Sequence, residues 1–497
     1  MAKKSVRRRK KPVQSSGRSG SVRTESDSMG KMTLPGDALY GATTARALAN
    51  FPIANRPLPY EMIRAFLMLK RAAAETNMDL DQLPKVKGRM IVKACNQIID
   101  GIDEQCAAGT LDQGWMKQFP VDIFQTGSGT STNMNVNEVI SNQVCITQGR
   151  EVGAKEPIHP NDHVNMSQSS NDTFPTAMQV AAVMAIREHL IPALKELGKG
   201  LHAKARKWDK IVKIGRTHLQ DATPIRVGQE FSGFAAQIDY SVLRAERAMV
   251  RLAENLPIGG TAVGTGINTH AKFGKGVVSH LSKMAGVRFA KAANHFEAQA
   301  TRDCVVEASG ELKTIAVSLS KIASDIRLLG SGPRAGFYEL KLPATQPGSS
   351  IMPGKVNPVI CESVVQVACQ VIGNDAAITA GGLGGVGSIL QLNVAMPMMT
   401  TNLIESINLL ANVSRIFNDR CIKDLDVNID NAAGFVERSL MLCTKLAPEL
   451  GYDTAAKIAK ESFANNRSIR EHVLELEMIE EELLNELLDA HGMTTPD

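Results

Sequence analysis

Aromatic side chains are scarce in these 497 residues, only 4% of the total. A core with so little Phe, Tyr and Trp must pack through Ala, Val, Leu, Ile and Met, which suits close helix packing better than a β-sandwich or a base-stacking platform. Cysteine pairs are also missing. Cys95, Cys106, Cys145, Cys304, Cys361, Cys369, Cys421 and Cys443 follow no C-x-x-C or regular spacing, which points to reduced, buried thiols in a cytosolic-type compartment. Excess positive charge is absent from the body of the chain. The formal net charge is +5, but residues 1–23 hold nine Lys or Arg and no acid, so the remainder carries 47 basic against 51 acidic residues. A nucleic-acid enzyme would normally carry its positive charge on the folded surface. No secretory apolar region opens the chain. Its longest charge-free stretch, 376–404, contains five glycines, Pro397, Asn393 and Gln391 and reads as buried core, not a membrane span.

What is present begins with a basic tail, residues 1–29, with too little apolar surface to fold alone. Its Arg7-Arg8-Arg9-Lys10-Lys11 run lacks the amphipathic face of a mitochondrial presequence. It reads as a solvated extension whose charge would support only weak contact with nucleic acid or anionic surfaces. From Pro35-Gly36-Asp37 onward the sequence becomes globular and mostly helical. Apolar residues recur at helical spacing over 61–77 and over the long run 174–208. Two further stripes step by three or four: Phe231, Phe234, Ala235, Ile238, Val242, Ala245, Met249 and Leu252, then Val305, Ala308, Leu312, Ile315, Leu319, Ile322, Ile326 and Leu329. Helices of ~25–30 residues span ~40–45 Å and need partners along their length, so a bundle that oligomerises is expected. After Pro358 a helix is expected through Ile372, then another over 399–417, and beyond Asp426 a more polar C-terminal unit of short helices.

Five polar interruptions stand out. Gly348-Ser349-Ser350-Ile351-Met352-Pro353-Gly354-Lys355-Val356-Asn357-Pro358 carries a hydroxyl pair, a lysine and an amide between helical segments, with Gly and Pro breaks that forbid a continuous helix. It fails as a phosphate-binding P-loop: five residues separate Gly348 from Gly354, and Val356 stands where Ser or Thr is needed. Gln125–Asn133 offers hydroxyls and N–H groups to an anion at a helix start, a role that ordinary capping would equally explain. His159–His163 and Ser167–Asp172 precede the next long helix. No further ligand cluster follows His159, Asp162 and His163, so a metal is not expected there. Gly215–Pro224 is read as a polar loop, which sets His218 apart from a histidine satisfied on an apolar face, although position alone leaves both readings open. Leu256–Gly266 is glycine-rich but follows a helix and lacks G-x-G-x-x-G spacing, so it reads as a tight connection.

Together these loops closely resemble those of the class II fumarases in the fumarase/aspartase superfamily. The serine loop is similar to the superfamily signature GSSxxPxKxNP without a mismatch. The likeness extends through Gly127-Ser128-Gly129-Thr130, His159-Pro160-Asn161-Asp162, Ser169-Ser170-Asn171 and Gly215-Arg216-Thr217-His218. The resemblance implies a mainly α, three-domain subunit: tail 1–29, N-terminal helical domain 30–168, central long-helix bundle 169–396 and small C-terminal helical domain 397–497. It further implies a homotetramer with a twenty-helix core, active sites assembled from loops of three subunits, a small dicarboxylate substrate, cytoplasmic location, and neither cofactor nor metal.

By the same resemblance Ser349 abstracts a proton, Lys355 and Asn357 hold the extra charge of an aci-carboxylate, His218 handles water or hydroxide, and Glu362 orients His218. Ser128, Gly129, Thr130, Ser169, Ser170, Asn171, Thr217, Ser350 and Val356 would hold the substrate, and His159, Pro160, Asn161 and Asp162 a second, non-catalytic dicarboxylate. The residue types suit the chemistry, because a carbanion beside a carboxylate needs positive charge and fixed donors around that carboxylate. Aspartate ammonia-lyase is the alternative. Ser128, Ser170, Cys361-Glu362 and the His159 segment look fumarase-like, whereas Gln391-Leu392-Asn393-Val394 resembles the aspartase pattern and Val359-Ile360 departs from the usual fumarase residues.

Overall fold

The computed structural model describes residues 21–496. Most of the tail therefore lies outside the described residues, but its last part is ordered: β1 (Val22–Asp27) and β2 (Gly30–Pro35) form an antiparallel hairpin with Asp27 opposite Gly30. The tail was expected to reach residue 29. What recruits residues 22–29 is side-chain pairing: Arg23 donates to the Ala38 and Tyr40 carbonyls, and Asp27 accepts two bonds from Arg46.

Arg46 lies on α1 (Ala42–Asn50), which is followed by α2 (Tyr60–Asp79), α3 (Lys85–Ala108) and α4 (Thr130–Thr147). The bundle begins with α5 (Ser170–Ala185), which continues through a π-helical turn at Ile186–Leu190 into α6 (Ile191–Lys207). Next come a hairpin, β3 (Val212–Thr217) and β4 (Gln220–Arg226), then α7 (Val227–Ala253), α8 (Phe273–Ala285), α9 (His295–Ala300), α10 (Asp303–Leu329), α11 (Val359–Gly382) and α12 (Met396–Phe417).

Five long segments, α5–α6, α7, α10, α11 and α12, run alternately up and down. Pairing along their length fixes this: His202 with Asp239, Arg251 with Glu307, Ser309 and Lys313 with Asp375, and Asn374 with Ser406. The α10 stripe is buried at all eight expected positions, and the α7 stripe at all but the half-buried Met249. Each such Leu or Ile removed from water contributes ~1.5–3 kcal/mol.

Three expectations need correction. α11 runs to Gly382, ten residues past Ile372. A Cβ on Gly381 would lie 2.8 Å from Met399, so glycine there lets α11 and α12 approach closely, but the charge-free stretch is not all buried core: Leu383, Val386, Ile389, Leu390 and Val394 are exposed. Among the described residues no helix is long and apolar enough to cross a membrane. The boundary drawn at 397 falls one residue into α12, whose buried side chains belong to the large core. A second, smaller core gathers Ile214, Val436, Leu442, Leu446, Ile458, Val473 and Leu484. Lastly, Cys369 is exposed and Cys106 only half-buried, while the other six thiols are buried.

Candidate active site

The alternating bundle sorts the polar loops into two sets. One end gathers the starts of α5, α10 and α12 and the finish of α7. The other gathers the start of α7, the finish of α10 and the start of α11.

At the first end, Ser128, Thr130 and Ser170 form a chain of hydroxyls: Ser128 Oγ lies 2.9 Å from Thr130 Oγ1, which lies 2.7 Å from Ser170 Oγ. Gly129 makes the turn possible, with φ +74° and a would-be Cβ 1.8 Å from the Phe174 ring. It occupies the N-cap of α4 without a side-chain cap, and the nearby cap comes instead from Gln125, whose Oε1 accepts from Thr132 N. Capping therefore explains Gln125 but not the three hydroxyls, which bond to one another. Ser169, by contrast, does cap its helix, in a reciprocal box with Asp172. Asp172 is completely buried and also accepts the N–H groups of Gly259 and Thr261 at 3.0 and 2.9 Å, while Asn171 donates to Ala262 O. The glycine-rich connection is thus a tight turn clamped to the Ser169 loop. Burial raises the Asp172 pKa to about 6, opposed by its backbone N–H donors and by Lys70.

Sequence reasoning missed Lys70. It is fully buried on α2, and its ammonium donates to Asn133 Oδ1 (2.7 Å), Asn165 Oδ1 (3.0 Å) and Gln168 Oε1 (3.0 Å). A signal was available: Lys70 falls four residues after Phe66 and three before Ala73, on the apolar stripe of its helix.

At the second end, the segment expected to be a loop around His218 is a β-hairpin. His218 (φ +57°) and Leu219 (φ +62°) form its two-residue turn, and both are exposed. Positive φ at both turn positions is the type I′ arrangement that twists with the strands. Ile214 anchors the hairpin in the smaller core. The serine loop is closed by Gly348 N donating to Lys355 O and by Asn357 Nδ2 donating to Gly348 O (2.6 Å). Within it Ser349 Oγ accepts two backbone N–H groups, from Ile351 (3.2 Å) and Met352 (3.1 Å). Ser350, Lys355 and Val356 are exposed, while Ser349, Asn357 and Glu362 are half-buried, with Glu362 on the first turn of α11. Among the described residues no hydrogen bond or ion pair joins His218, Thr217, Glu362 or Lys355 to another side chain. α7 and α10, of 27 residues each, separate the two ends by ~40 Å at 1.5 Å per residue.

His159 caps the π-helical turn Pro160–Val164: its Nδ1 accepts the N–H groups of Asn161 and Asp162. His163 Nδ1 accepts from His159 N, and burial followed by Lys87 lowers the His163 pKa. The adjoining cleft of about 280 Å³ sets Glu25, Asp27 and Glu138 against Lys155.

A bundle of this topology with hydroxyl-rich loops at its ends defines a lyase of the fumarase/aspartase class, and the comparisons agree. The family described as Lyase matches residues 30–373, and the one described as Fumarase C C-terminus matches 442–495. The chain is 50% identical over 474 residues to a fumarate hydratase class II of Mycobacterium tuberculosis, covering 95% of each chain. It is 48% identical over 455 residues to that of Thermosynechococcus vestitus, 92% of this chain and 94% of the relative. The solved class II fumarase of Schistosoma mansoni superposes with TM-score 0.89 at 37% identity, over 96% of this chain and all of that one. This chain belongs to the class II fumarate hydratase family.

Proposed function

We propose that this chain catalyses the reversible hydration of fumarate to (S)-malate. The observation that carries the reading is the pair of N–H groups on Ser349 Oγ, set in a loop of a chain whose full-length relatives are fumarate hydratases. A serine is a poor base at neutral pH unless its oxyanion is stabilised, and two fixed N–H donors with Lys355 nearby in the loop are suited to that.

In the dehydration of malate Ser349 takes the proton from the carbon beside one carboxylate. The electron pair moves into that carboxylate as an aci-carboxylate held by Lys355 and Asn357, and hydroxide departs from the neighbouring carbon with a proton from His218. Hydration reverses each step. Glu362 orients His218, in the manner of other carboxylate–histidine pairs. Ser128, Gly129, Thr130, Ser169, Ser170, Asn171, Thr217, Ser350 and Val356 hold the substrate. No step calls for a cofactor.

One copy cannot perform these steps if its two sets of groups lie ~40 Å apart. We therefore infer that copies associate antiparallel, so that the Ser128/Ser169 end of one meets the Ser349/His218 end of others. A two-fold, self-complementary contact does this, and exposed Leu243, Val250, Val317 and Ile372 along α7, α10 and α11 supply apolar surface for it. Four copies of five long segments make the twenty-helix core. The His159-Pro160-Asn161-Asp162 site for a second dicarboxylate rests on the resemblance alone. The same reading places the enzyme in the cytoplasm and leaves the basic tail weak polyanion contact at most.

Nothing in the comparisons supports the aspartate ammonia-lyase alternative. The test is purified protein followed at the ultraviolet absorbance of fumarate, given malate or aspartate in turn. Fumarate should form from malate; formation from aspartate alone would sink the reading.

A further inference from the structure

Lys70 is not among the residues assigned a role above, yet among the described residues it is the one ammonium bonded to residues flanking both substrate-holding loops. It reaches Asn133, three residues past Thr130; Gln168, immediately before Ser169; and Asn165, which leads into the Ser169 loop. The three acceptors match the three donors of an ammonium. The acceptors are cross-linked in turn: Asn133 Nδ2 and Asn137 Nδ2 both donate to Asn165 Oδ1, Asn165 Nδ2 donates to Gln168 O, and Thr173 Oγ1 donates to Asn133 Oδ1.

All three ligands are neutral amides, so no carboxylate in contact cancels the charge. The ionisable groups that face Lys70 are Asp172 on α5 and Cys95 on α3. The Asp172 carboxylate is already committed to three backbone N–H groups, and Cys95, itself fully buried, has its thiol pushed up to about 12 by burial, so it stays neutral. A buried charge that is hydrogen-bonded but not neutralised projects its field into low-dielectric surroundings. Here those surroundings are the backs of the Ser128–Thr130 and Ser169–Asn171 loops.

We propose that Lys70 is a positioning residue which locks these two loops to each other and supplies, from beneath them, positive charge that favours a dianionic substrate. The proposal rests on the fumarate reading for its substrate but not for its locking role. Since the ammonium faces the binding loops and not Ser349 or His218, its loss should act on substrate affinity more than on the chemical step.

Two variants test it in the full-length protein. Lys70→Met keeps the length and removes the charge. Asn165→Asp keeps the oxygen acceptor and places a neutralising carboxylate beside the ammonium. Assayed at about pH 6, below the Lys70 pKa of about 7 so that the ammonium keeps its proton, each should raise KM for fumarate by ~tenfold or more while kcat stays within about threefold. In amide hydrogen exchange, Lys70→Met should speed exchange in both 128–135 and 165–172, a readout that needs no substrate. Unchanged exchange in both loops would overturn the locking role even if the protein acted on some other substrate. An unchanged KM in an active Asn165→Asp variant, or a fall in kcat with KM intact, would overturn the charge role. A wild-type protein that does not turn over fumarate would contradict the function reading and leave the exchange test to decide this one.

Discussion

Arg216 and Glu339 form a two-pronged ion pair, Nη1 to Oε2 at 2.9 Å and Nη2 to Oε1 at 3.2 Å, that ties the hairpin bearing His218 to the chain leading into the Ser349 loop. Glu339 is almost fully buried and also faces the buried Lys213 at 3.4 Å. Removing it strands the largely buried Arg216 guanidinium and leaves the buried Lys213 ammonium with Glu230 alone, at 3.1 Å. Glu339→Ala should cost ~3–5 kcal/mol of stability, read as a lower midpoint in urea unfolding. A midpoint equal to wild type would mean that the pair does not fasten the hairpin.

Gly129 should tolerate no side chain. At φ +74° an alanine costs ~1–2 kcal/mol, and its Cβ would lie 1.8 Å from the buried Phe174 ring, which adds ~1–3 kcal/mol of overpacking. Gly129→Ala should lower the melting temperature and raise KM, because Ser128 and Thr130 flank the displaced turn. Melting and kinetics both at wild-type values would contradict the turn geometry.

Much of this architecture was legible in the residues. The stripes of α7 and α10 repeat at helical spacing without interruption, and Gly348, Pro353-Gly354 and Pro358 punctuate the serine loop. The hairpins were not legible, for local reasons. The turn at His218-Leu219 lacks the Asn-Gly or Gly that ordinarily marks a type I′ turn, and the hairpin of residues 22–35 buries only Glu25 and Leu34, too little to print an apolar alternation. Lys70 sits on the apolar stripe of α2, a signal its type masks: lysine on a helix ordinarily faces water, and the packing of α2 beneath Asn133 and Gln168 is what turns it inward. The site residues were recognisable as a set through family resemblance, but their division between opposite ends of the bundle needs the up-and-down course of the helices.

Stability should depend on pH through Lys70 in a direction opposite to the usual lysine. Burial lowers its pKa from 10.5 to about 7. Between those values the unfolded chain holds a proton that the folded chain has released, so this group's contribution to stability rises with pH across that window, by up to about 1.4 kcal/mol per unit. Below about 7 both states are charged and the full burial cost applies. The melting temperature of wild type minus that of Lys70→Met should therefore increase from about pH 6 to about pH 9. A difference that stays flat over this range would show that Lys70 keeps its charge in the folded protein throughout.

Ser349→Ala and His218→Asn should each reduce turnover by ~10²–10⁴-fold without altering the melting temperature or the oligomer, since Ser349 is only half-buried and His218 is exposed. A Ser349→Ala enzyme at full rate would refute the assignment of the base.

Subunit complementation tests the division of the site most directly. Ser349→Ala removes a group at one end of the bundle and Asn171→Ala a group at the other, so each variant alone should be close to inactive. Co-refolded in equal amounts, the two should regain activity approaching about a quarter of wild type by random assortment, because some sites then draw an intact Ser349 and an intact Asn171 from different copies. Mixed oligomers that remain as inactive as either parent would contradict a site shared between copies.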